Sequence, residues 1–356
     1  MRKSLYLKLF LIVCMPLLLS ACDVHQWPEN PEFVKVLLRL NYETEMTEWE
    51  YLYDGSQVIE QGFGQRYNNQ QNYGKIRYIV RTYPLSSKQR ALQDYTQEFI
   101  FTKDVSGGYN HEVTLDMLPG NYNVMVWSDL VWQDFAPTEN GTSFYNADNF
   151  AEITLQGTHT GNTNYRDAFR GSGNISLEAD IIDHLHATLD VTMQRPLAKF
   201  EFVTTDLQEF IDKEIEFLTK EAETRGEVPP TKVDTDSYKV VFQYSGFMPS
   251  AYNMNTDKPV DSKMDVLFES KLGVLSEREA SLGFDYVFVN GNNAAVSVQV
   301  GLFDKENRQL ALSEPINIPL RRNHHTIMKG SFLMQQASGG ITINPDFDGN
   351  HNIVIE

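Results

Sequence analysis

Residues 113–127 read Val113-Thr114-Leu115-Asp116-Met117-Leu118-Pro119-Gly120-Asn121-Tyr122-Asn123-Val124-Met125-Val126-Trp127. Val113, Leu115 and Met117 alternate with Thr114 and Asp116, the period of two that gathers apolar side chains on one face of a strand. A second apolar run, Tyr122 to Trp127, follows Leu118-Pro119-Gly120-Asn121, where proline fixes φ and glycine accepts the positive φ that a tight turn can require. Strand, turn and strand are the unit, and the pattern recurs on both sides. Upstream, Val34, Val36, Leu38 and Leu40 point one way and Lys35 and Arg39 the other. Ile76, Tyr78 and Val80 likewise oppose Arg77 and Arg81, which the alternation predicts on the solvent face. Phe99 to Phe101 and Ile153 to Leu155 are shorter runs of the same kind.

Downstream, Leu189, Val191 and Met193 alternate with Asp190 and Thr192; Arg195-Pro196 interrupts; then Ala198, Phe200 and Phe202 alternate with Lys199 and Glu201. Tyr238, Val240, Phe242 and Tyr244 form another face, and Val296, Val298, Val300 and Leu302 one more. Shorter candidates are Val266 to Phe268, Tyr286 to Val289, Ile316 to Ile318, Ile327 to Leu333, Ile341 to Ile343 and Ile353 to Ile355. Many short strands with turn signals between them mark sandwiches rather than βαβ units. One helix is predicted: Leu207, Phe210, Ile211, Ile215 and Leu218 recur at helical spacing, Asp206 with Glu209 forms a capping box, and Gly226 lies just past the end. It should cover a sheet face. The expected fold is therefore all-β with one amphipathic helix, arranged as two β-sandwich domains in tandem. Gly171-Ser172-Gly173-Asn174 reads as a flexible stretch near the middle, which divides the chain into an N-terminal domain, 34–185, and a C-terminal domain, 186–356.

The chain of 356 residues is 41% hydrophobic and 22% charged, and its 21 Phe and 17 Tyr lean towards β-structure. That length has room for about two domains with sizeable cores. With 30 basic and 48 acidic residues the net charge is −18, which argues against a nucleic-acid partner, since a phosphate backbone needs a concentrated positive surface. At the N-terminus Arg2 and Lys3 precede an apolar run from Leu5 to Leu19, then small Ser20 and Ala21: residues 1–21 have the layout of an export signal, too short for a spanning helix. Leu19-Ser20-Ala21-Cys22 resembles the lipobox of bacterial lipoproteins, in which the cysteine becomes the lipidated first residue of the mature protein. Cys22 is accordingly the expected lipidation site, several acyl chains giving stable anchoring where one would not. Removing residues 1–21 discards Arg2, Lys3 and Lys8 and takes the charge from −18 to −21. It also discards Cys14, so no intramolecular disulfide is available and the fold must rest on burial. Residues 22–33, with Pro28 and Pro31, read as a tether.

The familiar catalytic signatures are absent from the sequence. There is no phosphate-cradling glycine loop, no G-x-S-x-G elbow, no H-E-x-x-H helix and no CxxC pair. No catalytic residue, metal ligand or cofactor is expected. His184 and His186 share a face if extended but lack a third ligand, so they are expected to be polar loop residues. His324-His325 beside Arg321 and Arg322 points to a turn or an interface more than to an anion site. Asp346-Phe347-Asp348-Gly349-Asn350 lacks the spacing and distal Glu of a calcium loop. Tyr122, Trp127, Trp132, Phe135, Phe144 and Tyr145 concentrate in one segment; they suit a core better than a sugar-stacking surface, the alternative that a glycan-binding lipoprotein would need.

The lipobox, the tether, the segment V-T-L-D-M-L-P-G-N-Y-N-V-M-V-W at 113–127, M-Q-R-P-L-A-K-F-E-F at 193–202 and the ending N-H-H-T-I-M-K-G-S-F-L from Asn323 resemble the fimbrillin superfamily of Bacteroidales, and within it the lipid-anchored minor subunits of type V fimbriae. The resemblance implies two transthyretin-like sandwiches. It also implies assembly with other fimbrial subunits by strand exchange, in which a donor strand fills an edge groove on its neighbour. The strands that could exchange are the first, Val34 to Leu40, and the last, Ile353 to Ile355; the first is expected to be a permanent member of its own sheet. The resemblance thus implies a non-enzymatic lipoprotein of the outer membrane, surface-exposed, supporting adhesion and biofilm formation. A host or bacterial surface glycan or protein is the further partner, and a cleaved stalk or tip subunit is the alternative role.

Overall fold

The computed structural model describes residues 33–68, 74–85, 94–131, 143–177, 187–291 and 293–335. In the first of two sandwiches, β1 (Val34–Tyr42) is the middle strand of a three-stranded sheet, with β6 (His111–Met117) antiparallel on one side and β11 (Ala187–Met193) parallel on the other. It packs on a four-stranded antiparallel sheet ordered β10 (Ala168–Leu177), β7 (Gly120–Val131), β4 (Lys75–Pro84) and β5 (Gln97–Asp104). Val36, Leu38 and Leu40 share one core with Tyr78, Val80, Val124 and Val126. The strand, turn and strand read from residues 113–127 are present, but the two strands lie in facing sheets and do not pair with each other.

In the second sandwich a six-stranded sheet runs β17 (Gly273–Val274), β18 (Ala280–Phe288), β12 (Leu197–Thr204), β22 (His324–Gly330), β2 (Glu45–Tyr53) and β3 (Val58–Asn68). Opposite it lie β16 (Leu267–Lys271), β13 (Lys239–Tyr244) and β19 (Ala294–Phe303), with both β20 (Gln309–Leu312) and β21 (Ile316–Leu320) paired to β19. Phe200, Phe202, Phe242, Val298, Val300 and Met328 fill the space between. The sheets do not respect a linear division of the chain. β2 and β3, from the first half, join the second sandwich, whereas β11, from beyond residue 185, completes the first. The chain crosses three times: from β1 through Glu43 and Thr44 into β2, back between β3 and β4, and from β11 through Gln194 to Pro196 into β12.

A third layer explains an error of the alternation rule. A small sheet of β15 (Lys258–Lys263), β14 (Met248–Asn253), β9 (Ile153–Leu155) and β8 (Tyr145–Asn146) pairs strands from both halves, Ala251 opposite Thr154 and Tyr252 opposite Ile153. Ile79, Met125, Trp127, Phe150, Tyr252 and Phe288 form a core there, so the four-stranded sheet is covered on both faces. Arg77 and Arg81, predicted to face solvent, are only 8% and 4% exposed. Burial obliges them to be paired: Arg77 Nε donates to Asp129 at 2.8 Å and Arg81 Nε to Glu98 at 2.6 Å.

Two polar clusters join the halves. Arg195, fully buried, donates from Nε and Nη2 to Asp167 at 2.8 to 3.0 Å, and from Nη1 to the carbonyl of Thr44 at 3.1 Å and to Asn323 Oδ1 at 2.8 Å. One guanidinium thereby ties the first and last of these crossovers to the turn before β22. The second cluster centres on buried Asp285, which accepts from Arg166 and, at 2.7 Å, from the Tyr244 hydroxyl; His159 Nε2 lies 2.8 Å away.

The residues read as flexible, Gly171 to Asn174, are strand β10. A Cβ on Gly171 would lie 2.5 Å from Val191, and one on Gly173 would lie 3.0 Å from Leu189. These glycines let β10 approach β11 closely, so their role is packing. The predicted helix is α1 (Leu207–Arg225), with Leu207 and Phe210 in the second core and Gly226 closing it at φ +69°. The capping box does not form. Asp206 makes no side-chain cap; its carboxylate accepts from Thr204 and from the amides of Leu333 and Met334, pinning the chain that leaves β22.

Candidate functional site: the cleft that holds the first strand

β1 is a short amphipathic strand whose alternation is complete: Val34, Val36, Leu38 and Leu40 are buried, while Lys35 is exposed and Leu37 and Arg39 half-exposed. Its backbone is paired on both edges, Leu38 standing opposite Leu189 of β11 and Val113 of β6. The expectation that the first strand belongs to its own sheet agrees with this register. Each buried Val or Leu contributes about 1.5–3 kcal/mol, or roughly 6–12 kcal/mol for the four. The outward ion pairs, Lys35 with Asp116 at 3.7 Å and Arg39 with Glu112 at 3.1 Å, are largely solvated and add about 0–1 kcal/mol each. Apolar knobs and backbone bonds thus hold the strand.

The end of β1 is locked more firmly than its start. Tyr42 donates its hydroxyl to Ser128 at 2.7 Å and its amide to Asn110 at 2.8 Å, and its ring meets Phe169 edge-on at 4.9 Å. Burial raises the Tyr42 hydroxyl well above the ordinary range, so it stays a donor. Without β1, the space between β6 and β11 would be a slot one strand wide, floored by the first core and edged by two rows of backbone donors and acceptors. Such a slot recognises an extended peptide with apolar residues at alternate positions.

Other sequence candidates fall differently. Trp127 is 0% exposed, and Tyr122 and Tyr145 are buried, so the aromatic segment cannot offer these rings to a sugar. Arg322 donates to Asp257 at 2.7 Å, Arg321 lies 4.0 Å over the Trp49 ring, and His325 Nε2 is 3.0 Å from Glu201. That constellation is committed to a turn and its contacts rather than to an anion. Cys22, the tether up to residue 32, His184 and His186, Trp132 and Phe135, Asp346 to Asn350, and the strands at 341–343 and 353–355 lie outside the described residues. Among the described residues no group of three or more His, Cys, Asp or Glu side chains is placed to hold a metal, and no helix is long and apolar enough to cross a membrane. The partner that sequence reasoning misses is β11: its alternation is plain, but nothing local says that it pairs with β1 across some 150 residues of chain.

These features define an all-β protein of two sandwiches whose first strand sits centrally in the first. Residues 31–356 match the family described as Family of unknown function (DUF6562), and the chain belongs to that family. No curated protein matches the sequence. Among solved structures, it is similar to a candidate adhesin from Bacteroides ovatus (10% identity over 86% of this chain and 91% of that one, TM-score 0.41). It is also similar to a candidate cell adhesion protein from Bacteroides eggerthii (10%, 88% and 91%, TM-score 0.40). A third is the fimbrial anchor protein Mfa2 from Porphyromonas gingivalis (10%, 78% and 82%, TM-score 0.36).

Proposed function

We propose that this chain is a non-enzymatic lipoprotein, attached to the outer membrane through Cys22, that serves as the anchor or an accessory subunit of a surface fimbrium and so supports adhesion and biofilm formation. The observation that carries the reading is the position of β1, paired on both edges at the heart of its sheet and beginning twelve residues after Cys22. A strand seated this way keeps the lipid-bearing segment joined to the folded body and fills the slot that an incoming donor strand would need. An anchor blocked at this end must be joined through its other end. The chain leaves β22 at Gly330, which pairs with Thr204 at the end of the second sandwich away from the crossovers, and its remaining residues include the short apolar run Ile353 to Ile355. In this reading they donate a strand to the neighbouring subunit.

Intact mass and N-terminal analysis of the protein taken from its native membrane tests this. The expected product starts at a lipid-modified Cys22 and retains residues 34–40. A chain starting after Arg39 or another basic residue, without lipid, overturns the anchor role and makes the protein a cleaved stalk or tip subunit.

A further inference from the structure

We propose that the end of the first sandwich where β1 begins is a membrane-contact surface, on which the protein rests against the bilayer that holds its lipid. The inference rests on the reading of Cys22 as the lipid anchor and adds an orientation to it. Phe33, Leu85 and Tyr95 are 53%, 43% and 37% exposed. Although far apart in sequence, they are brought to one end by the sheet registers. Val34 stands opposite Met117, so Phe33 adjoins the turn at Leu118 and Pro119. Leu85 donates its amide to Asn121 at 2.9 Å, just past that turn. The segment carrying Tyr95 is fixed by Thr96, whose amide donates to Thr82 at 2.8 Å, and by Gln97, whose side chain accepts from the Leu118 amide at 2.8 Å.

The place where the chain emerges determines what covers these side chains. Phe33 lies eleven positions after Cys22, and at about 3.3–3.6 Å per step that stretch spans at most about 40 Å. The end of the molecule bearing Phe33 is therefore kept within about 40 Å of the lipid, nearer to it than the far end of the second sandwich. An aromatic with a polar tip, Tyr95, whose ring also lies 4.7 Å from the Arg81 guanidinium, at the same end as Phe33 and Leu85 is a composition that settles at a headgroup boundary. Val274 and Leu275 are comparably exposed but lie at the opposite end of the second sandwich, where Val274 pairs with Ala280 and Ala280 with Thr204. They are the internal comparison.

The test imposes the tether chemically. The chain from Cys22 onward is coupled through its only thiol to a maleimide-headgroup lipid in saturated phosphatidylcholine vesicles, and hydroxyl-radical footprinting compares it with the uncoupled chain. The expected result is a several-fold fall in oxidation at Phe33, Leu85 and Tyr95, with Leu275 unchanged, and restoration of Phe33 oxidation in the Leu85→Gln/Tyr95→Gln variant at equal coupling yield. Equal oxidation in coupled and uncoupled protein overturns the surface. So does protection of Phe33 that the double variant leaves intact, which would reflect proximity alone. Because coupling supplies the tether, either result stands apart from the native mass measurement, which alone decides whether Cys22 carries lipid.

Discussion

Arg195 shows how much a single side chain holds together. It stands between two alternating strands, and both it and Asp167 are withdrawn from water. A buried pair of this kind costs heavily when one partner goes, because the other is left charged in a dry site. Arg195→Met should lower the unfolding free energy in urea by about 3–5 kcal/mol. Adding Asp167→Leu should recover part of that loss, and a double variant as unstable as the sum of the singles would contradict the coupling. His159 gives the molecule a pH dependence. Burial first, then the neighbouring Arg166, hold its imidazole below the ordinary value despite Asp285, and His111 is lowered by burial and Lys103. A base with a depressed folded pKa is protonated more readily in the unfolded chain. Stability should therefore be level above about pH 6.5 and fall as the pH drops below it. Denaturation at a series of pH values should show this slope, reduced in His159→Gln and not abolished, since His111 acts with the same sign.

Among the elements, legibility tracks how many faces a strand buries. β1, β6 and β11 have one face towards solvent, and their alternation is plain. β4 is covered on both faces, so alternation misplaces Arg77 and Arg81; only the third sheet, formed by strands distant in sequence, reveals why they are inside. β2 is invisible for the opposite reason. Its outward Glu48 and Glu50 make the run look polar, yet they are met across the sheet by His325 at 3.7 Å and Lys329 at 3.5 Å. Polar groups that meet their partners on a neighbouring strand hide a strand from any reading of one segment. Gly171 and Gly173 look like a hinge because an absent side chain signals freedom and close approach equally well. Gly171→Val should separate these meanings: a hinge would tolerate it, whereas the packing against Val191 predicts a loss of about 1–3 kcal/mol. Within β1, Leu38→Ala should cost about 2–5 kcal/mol in the same assay. A cost near zero would mean that the strand is dispensable to its sheet.

For the whole molecule, the all-β class and the two cores are legible, while the exchange of strands between halves is not, because pairing across long stretches of chain leaves no local mark. The exchange predicts cooperative unfolding. With β2 and β3 in one sandwich, β11 in the other and a sheet shared between them, neither half has a complete set of strands from contiguous sequence. Residues 34–185 expressed alone should fail to give the dispersed amide spectrum of a folded domain; a well-dispersed spectrum from that fragment would show that β11 is not needed.

The direction of β1 and β22 has a mechanical consequence. Pulled from residue 33 at one end and residue 335 at the other, β1 is loaded lengthwise against β6 and β11, and β22 lengthwise against its parallel neighbours β12 and β2. Bonds along both strands then bear force together instead of parting one at a time. Single-molecule extension between these points should need a higher force than peeling the β14 and β15 hairpin, a property that would serve the anchor role proposed above.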